Sequence, residues 1–418
     1  QLGFRPFATG LDATFGVNWW DGAFYVKTNY QAPNSRVLKV DPNRLSLADW
    51  REIVPESDAK LDDASIIGGK LTLSYLRNAA SEIEVRDLEG KPLRKVALPG
   101  IGSSSGISGN PELDEAYFSF TSFAVPGEIY QTSIKTGQTS LWAKIDLPID
   151  TSQNQVEQVR YSSKDGTSVS MFILHKKGVV LDGSNPTLLT GYGGFNVDMT
   201  PDFSTLAAVW LEHGGVYAVP NLRGGGEYGE AWHRAGMGAN KQNVFDDFIG
   251  AAEALIRLGY TRPEKLAISG GSNGGLLVGA VMTQRPELFR AVVCSVPLLD
   301  MVRYHQFGSG KTWIEEYGSA DDPAQFKTLY AYSPYHHVNK GTPYPALLMM
   351  AADHDDRVDP MHARKFAAAI QWASSRPDHP VLFRLEEQAG HGGADLVKKR
   401  VESLADITAF LIDQLGAR

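Results

Sequence analysis

Two patterns of apolar and polar positions divide the chain near residue 150. Up to that point, apolar and polar residues alternate over runs of five or six, and helical periodicity is almost absent. The runs also repeat. "AFYVKT" from Ala23, "GKLTLS" from Gly69 and "EAYFSF" from Glu115 lie about 46 positions apart. "VLKVD" from Val37, "IEVRD" from Ile83 and "IYQTS" from Ile129 keep that spacing. Turn signals such as "EGKP" and "KTGQ" follow, and then a further short run, "LRKVAL" or "SLWAKI". A period of roughly 40–50 residues with four short strands is the signature of β-propeller blades; a β-sandwich with accidental spacing is the competing reading. Tyr25, Leu71 and Tyr117 should then occupy equivalent places. About three units fit into residues 1–150, fewer than the roughly 4–8 blades of most propellers. The expectation is the C-terminal blades of a longer propeller, or an incomplete one.

From about residue 151 the pattern changes to strands alternating with helices. Candidate strands are "QVEQVRYSS", "SVSMFILHK", "PTLLTGY", "GVYAVP", "KLAIS", "AVVCSV", "ALLMMAA" and "VLFRLEE". Between the later ones, "NVFDDFIGAAEALIRLG" sets Val244, Phe248, Ala251, Leu255 and Leu258 on one helical face. "PMHARKFAAAIQWA" and "LVKKRVESLADITAFLIDQL" read as helices too, the last as a surface helix. Eight strands with mostly helical crossovers predict an α/β fold with a mostly parallel sheet over residues 151–418.

Composition narrows the function classes. A hydrophobic fraction of 43% and a charged fraction of 21% are those of a folded globular chain. The net charge of -8 offers no basic surface to replace phosphate counterions, which argues against nucleic acid as a partner. No apolar run approaches the roughly 18 residues of a membrane span. The single cysteine, Cys294 within "AVVCSV", excludes an intrachain disulfide and a cysteine-based metal cluster, and reads as a buried structural thiol. The chain begins at Gln1 without a basic and apolar leader, so a cytoplasmic protein is expected, or a periplasmic one if a leader was removed.

The chemistry concentrates in "KLAISGGSNGGLLVGAVMTQRP", a strand, a glycine turn and a helix in succession. Gly270, Ser272 and Gly274 match G-x-S-x-G, the nucleophile elbow of α/β hydrolases. A phosphate-binding loop would need a lysine after the glycines, and none follows. Hydrolases of this fold run serine, acid, histidine along the chain. After "ALLMM" comes "AADHDDRVDP" with Asp353, Asp355 and Asp356, and after the last strand "EEQAGHGG" with His391. The residues themselves do not choose among the three aspartates. "LLTGYGGFN" follows the third strand, where a second oxyanion donor sits, and there the Tyr192 hydroxyl is a candidate donor. His336 and His337 lack such a strand-end position and read as structural or surface residues.

With these residues in hand, the chain resembles the prolyl oligopeptidase family of serine peptidases, and within it the prolyl endopeptidase branch. "GYGGFN", "NLRGGGEYGEAWH", "FDDF", "GGSNGGLLV", "RPELF", "ADHDDRV" and "AGHGG" stand together in the family's order. The resemblance implies Ser272 as nucleophile, Asp355 as the acid and His391 as the base, with the Asn273 N–H and the Tyr192 hydroxyl as oxyanion hole. It further implies an apolar proline pocket from Trp313, Tyr317, Phe195 and Val358, and Arg357 as a donor to a substrate carbonyl. Leu298 stands where many relatives carry a smaller valine at the pocket floor. The implied activity is hydrolysis of short peptides after proline, and more slowly after alanine, without metal or organic cofactor. The family normally carries a seven-bladed propeller and a further N-terminal segment, so the absent propeller segment is an expected partner and the complete protein an expected monomer. Rival readings are an oligopeptidase cutting after Lys or Arg, with Glu315 and Glu316 as pocket acids, a dipeptidyl peptidase, or a propeller-type binding protein with a vestigial hydrolase.

Overall fold

A computed structural model describes residues 6–146, 148–151, 153–393 and 397–417. The chain divides into two compact units. One is built on the residues up to Asp150 together with Thr200–Phe203 and Glu227–Ala231; the other comprises Thr151–Met199, Ser204–Gly226 and the chain from Trp232 onward.

In the first unit, the alternating runs fold into three four-stranded antiparallel sheets in which consecutive strands are neighbours. The first holds β1 (Phe15–Trp20), β2 (Ala23–Thr28), β3 (Arg36–Val40) and β4 (Arg51–Val54). The second holds β5 (Lys60–Ile67), β6 (Lys70–Arg77), β7 (Ala80–Arg86) and β8 (Pro92–Val96). The third holds β9 (Ile107–Gly109), β10 (Glu115–Phe120), β11 (Glu128–Ser133) and β12 (Thr139–Lys144). The repeating runs fall on the second and third strands of each sheet. The sheets pack in series: Tyr25, Val37 and Val54 of the first share one apolar layer with Leu61, Leu71 and Leu73 of the second. Ile67, Ile83 and Val85 of the second share another with Phe118 and Phe120 of the third. A middle sheet covered on both faces is what consecutive blades require, and a two-sheet sandwich does not provide it.

Tyr25, Leu71 and Tyr117 each fall on the second strand of a sheet, but their expected equivalence fails for facing and burial: Tyr25 and Leu71 meet in one layer between the first two sheets, and Tyr117 lies outside both layers. Tyr25 and Leu71 are buried, whereas Tyr117 is half-exposed, its hydroxyl donating to Glu115 Oε1 at 2.8 Å and its ring edge-on to Trp142. In β10 the buried face is that of Ala116, Phe118 and Phe120, because only that side meets the second sheet.

The second unit is built on an eight-stranded sheet whose strands are those expected from the sequence. They are β13 (Asn154–Ser162), β14 (Ser168–Lys176), β15 (Thr187–Thr190), β16 (Val216–Pro220), β17 (Leu266–Gly271), β18 (Ala291–Ser295), β19 (Ala346–Ala352) and β20 (Val381–Glu386). Their order is β13-β14-β16-β15-β17-β18-β19-β20. The β13–β14 and β14–β16 pairs are antiparallel, and from β16 across to β20 every pair is parallel. Eight α-helices lie among the described residues: α1 (Thr205–Glu212), α2 (Glu230–Arg234), α3 (Gln242–Arg257), α4 (Asn273–Gln284), α5 (Ile314–Tyr317), α6 (Pro323–Tyr332), α7 (Met361–Ala373) and α8 (Val397–Leu415). β16 and β19 are buried along their whole length, as strands covered on both faces must be. Val244, Phe248, Ala251 and Leu255 of α3 are fully buried, each large side chain contributing about 1.5–3 kcal/mol. Leu258, expected on that face, lies beyond the last helical residue and is exposed.

The "LRG" and "FDDF" segments are tied together inside this unit. The buried Arg223 side chain donates to both oxygens of Asp247, at 2.6 Å from Nη2 to Oδ1 and 3.0 Å from Nε to Oδ2, and also to Asp165 and Ser163. Its partners hold the guanidinium firmly protonated against the opposing effect of burial.

Candidate active site

Ser272 joins the end of β17 to the start of α4 with φ 58° and ψ -118°, a left-handed backbone that a residue with a Cβ rarely adopts. Two contacts impose it. The Ser272 N–H donates to Ser295 O of the neighbouring strand at 2.9 Å, while Ser272 O accepts from the Leu276 N–H of α4. Glycine is required on both sides. A Cβ on Gly270 would lie 2.1 Å from Gly274 O, and one on Gly274 would lie 2.7 Å from Gly191 O. The strained turn presents the hydroxyl at the C-terminal edge of the sheet, ahead of a twelve-residue helix. In its first turn the Asn273 N–H has no intrahelical acceptor, so it and the helix dipole favour negative charge beside Ser272.

Three further strands deliver their side chains to the same edge. After β19, the Asp355 carboxylate accepts from the Arg357 N–H at 3.0 Å and the Val358 N–H at 2.8 Å through Oδ1. Its Oδ2 lies 2.7 Å from His391 Nδ1, in the loop after β20. The arrangement fixes the imidazole with Nδ1–H toward the acid and Nε2 outward. The two neighbouring aspartates are otherwise engaged: Asp353 accepts from His354 at 2.7 Å and from the Ala389 N–H at 3.2 Å, and Asp356 is exposed. Burial would raise the Asp353 carboxyl, but these bonds outweigh it and hold it at about 2.

After β15, Tyr192 carries its hydroxyl beside the Ser272 side chain. Burial raises its phenol above the usual value, opposed by the Ser272 hydroxyl and by the Arg357 charge. A protonated phenol is what an oxyanion donor must be. Among the described residues, the structure joins Asp355 to His391 by a hydrogen bond, brings Tyr192 beside Ser272, and forms no hydrogen bond between Ser272 and His391. His391 and Ser295, the residue bonded to the Ser272 amide, line one cavity with Val296. Unliganded hydrolases often hold this last contact long.

Phe195 and Tyr317 stack edge to face with centroids 5.4 Å apart, and the Tyr317 hydroxyl donates to Asn273 Oδ1 at 2.8 Å. Trp313 is half-buried and packs against the core that contains Tyr317, Val358 and Leu298. Ser309, just ahead of Trp313, donates its N–H to Arg357 O at 3.3 Å, which ties that segment to the Asp355–Val358 turn. The Arg357 side chain is exposed. Glu315 is exposed as well, but Glu316 is buried and bonded to the Phe195 N–H and to His233. Glu316 is therefore not a free pocket acid, a fact that its place beside a tryptophan did not reveal.

A strained serine at a strand–helix turn, with a paired acid and imidazole on loops after later strands of a mostly parallel sheet, is the architecture of the α/β-hydrolase fold. Comparison with known proteins gives the particular group. Residues 201–418 match the model of the prolyl oligopeptidase family, and residues 3–145 match the family's N-terminal β-propeller domain. The chain belongs to the prolyl oligopeptidase family. It is 41% identical to the prolyl endopeptidase of Elizabethkingia meningoseptica over 99% of its length and 59% of the relative's. To the prolyl endopeptidase of Dictyostelium discoideum it is 39% identical, covering 96% of this chain and 55% of that one. A solved structure from a study of two prolyl endopeptidases and their inter-domain dynamics aligns over the whole chain and 62% of its own, with 58% identity and a TM-score of 0.97. Prolyl oligopeptidase B from Galerina marginata, bound to a 25mer macrocyclization substrate, aligns at 33% identity with a TM-score of 0.93, over 99% of this chain and 59% of that one. The chain thus spans about three-fifths of the length of the relatives it matches.

Proposed function

We propose that the chain carries the catalytic apparatus of a serine endopeptidase that cleaves short peptides on the carboxyl side of proline. In this reading residues 1–150 are blades of the family's propeller and residues 151–418 the catalytic domain. The observation that carries it is the left-handed Ser272 with Tyr192 beside it, together with the Asp355–His391 pair on loops that follow later strands of the same sheet.

The chemistry is acyl transfer. Ser272 Oγ attacks the carbonyl carbon of the proline residue as its proton passes to His391 Nε2. Asp355 holds the imidazole in the accepting tautomer and stabilises the imidazolium that forms. The carbonyl oxygen becomes an oxyanion received by the Tyr192 hydroxyl and the Asn273 N–H. His391 then gives its proton to the departing amine as the carbon–nitrogen bond breaks, and water repeats the sequence on the acyl-enzyme.

Specificity follows from shape. Proline is short, rigid and apolar, so flat contact with Trp313 and closure by Phe195, Tyr317 and Val358 recognise it without a charge. Arg357, whose side chain is exposed, would donate to a substrate carbonyl on the acyl side. Engagement of Glu316 by Phe195 and His233 weighs against cleavage after Lys or Arg, since it withdraws one of the two candidate pocket acids and leaves only the exposed Glu315. The remaining expectations are a cytoplasmic setting, peptide substrates and association with the rest of a propeller; no described helix is long and apolar enough to cross a membrane.

Cleavage-site profiling with a peptide library tests the reading. Cuts should follow proline first and alanine second, and a dominant Lys or Arg signal would overturn the proline assignment while leaving the hydrolase one.

A further inference from the structure

The loop that carries Tyr192 is held in an unfavourable shape. Gly193, Phe195 and Asn196 all have positive φ, at 62°, 58° and 57°. Two successive non-glycine residues in that region persist only where surrounding contacts over-determine them. Three buried side chains supply those contacts. Asn273 Nδ2 donates to Tyr192 O at 2.6 Å, and Lys241 Nζ donates to Gly193 O at 2.9 Å. Glu316 Oε1 accepts from the Phe195 N–H at 3.0 Å. The last two are charged groups almost without solvent contact, with Lys241 1% exposed and Glu316 5%. Their charges face one another, Lys241 Nζ lying 3.7 Å from Glu316 Oε1, while Glu316 Oε2 meets His233 Nε2 at 2.8 Å.

Burying two charges for fold stability alone is poor design, because an apolar pair of similar volume usually does as well. What the pair does provide is two directional, charge-assisted hydrogen bonds, to the amides on either side of Gly194. We infer that Glu316 and Lys241 are positioning residues for transition-state stabilisation, clamping the Gly193–Asn196 turn so that the Tyr192 hydroxyl stays over Ser272. The inference rests on the peptidase reading given above. Electrostatics agree with the geometry: burial raises the Glu316 carboxyl, but His233, Lys241 and the Phe195 amide outweigh it and keep it ionised. Burial lowers the Lys241 ammonium to about 8 against the pull of Glu316, which leaves it charged at neutral pH.

The test is a pair of double-mutant cycles. Glu316→Gln keeps a carbonyl acceptor for Phe195 and removes the charge, and Lys241→Met removes the bond to Gly193. Each should lower kcat about tenfold or more with little change in KM, by the same factor for proline and alanine substrates. In a Tyr192→Phe background the same substitutions should change kcat less than about threefold, since the donor they position is already gone. Equal losses in both backgrounds, or a wild-type kcat, would overturn the positioning role. A second measurement stands apart from catalysis. Amide hydrogen exchange at residues 193–197 should quicken in both variants, and unchanged protection would overturn the clamp. If the wild-type chain hydrolyses no peptide, the functional reading falls and the exchange result still decides the clamp.

Discussion

Both units of the molecule contain left-handed residues other than glycine, and they use them differently. In the first unit they sit in turns that connect strands. Asp21 precedes Gly22 between β1 and β2, and Asn78 precedes Ala79 between β6 and β7. Two positive-φ residues in succession match the twist of the hairpin they close, so the conformation serves strand pairing. In the second unit the residues are Phe195, Asn196, Ser272, Val296 and Gln388, and each follows a strand of the parallel sheet at its C-terminal end. There the conformation closes no hairpin and lies at the sheet edge that holds the proposed site. A left-handed residue in a two-residue hairpin is a pairing device, whereas one after a parallel strand is a reason to look for a site.

That contrast is broken most severely at the serine. Ser272→Ala and His391→Ala should each lower peptide hydrolysis by about 10⁴-fold or more without unfolding the chain, and the double variant should lose no more than either alone. Steady-state kinetics with circular dichroism checks this, and multiplicative losses would mean that the two residues do not act as one unit.

Removing one proposed oxyanion donor comes next. Tyr192→Phe should reduce kcat by roughly 10²–10³-fold with KM little changed. A change confined to KM would reassign Tyr192 to ordinary binding.

Glycine substitutions compare the two units directly. Gly270→Ala places a methyl group 2.1 Å from Gly274 O and should destabilise the chain by about 1–3 kcal/mol, with loss of activity. Gly127→Ala, between β10 and β11, meets nothing within 4 Å and should stay within about 0.5 kcal/mol of wild type. Urea denaturation reads both.

A smaller effect belongs to specificity. Trp313→Ala should cut kcat/KM for proline substrates about tenfold more than for alanine substrates, the scale of a few lost apolar contacts. An unchanged ratio would remove Trp313 from the pocket.

The smallest effect is on the pH dependence of stability. Lys241 titrates at about 8 in the folded chain against 10.5 when free, so between those values the unfolded state binds more protons. Its unfavourable contribution is complete below about pH 8 and is relieved as pH rises toward 10.5. Wild type should therefore gain on Lys241→Met by on the order of 1–3 kcal/mol across that window. A constant gap in urea melts at pH 7.5 and 10 would contradict the buried ammonium.

The strands of both units were legible because their patterns reflect burial: period two where neighbouring sheets cover the faces, continuous apolar runs where helices cover both. The serine turn was legible too, since only glycine fits at Gly270 and Gly274. Sequence could not choose among Asp353, Asp355 and Asp356, because the choice lies in which carboxylate meets an imidazole 36 residues away. It also offered Glu316 as an alternative pocket acid and did not reveal that the side chain is buried and bonded. Its partners Phe195, His233 and Lys241 are far off along the chain, and no local pattern announces a buried charge pair. The half-exposure of Tyr117 escaped for a related reason, since a repeat predicts strand position and says nothing of which face a neighbour covers.

The most direct test of the account is labelling with a fluorophosphonate, which reacts only with an activated serine. Intact mass should show one adduct per chain, and peptide mapping should place it on Ser272. Labelling should vanish in Ser272→Ala and slow sharply in His391→Ala. An adduct on another residue, or none on a folded chain, would contradict the claim that this turn holds a working nucleophile.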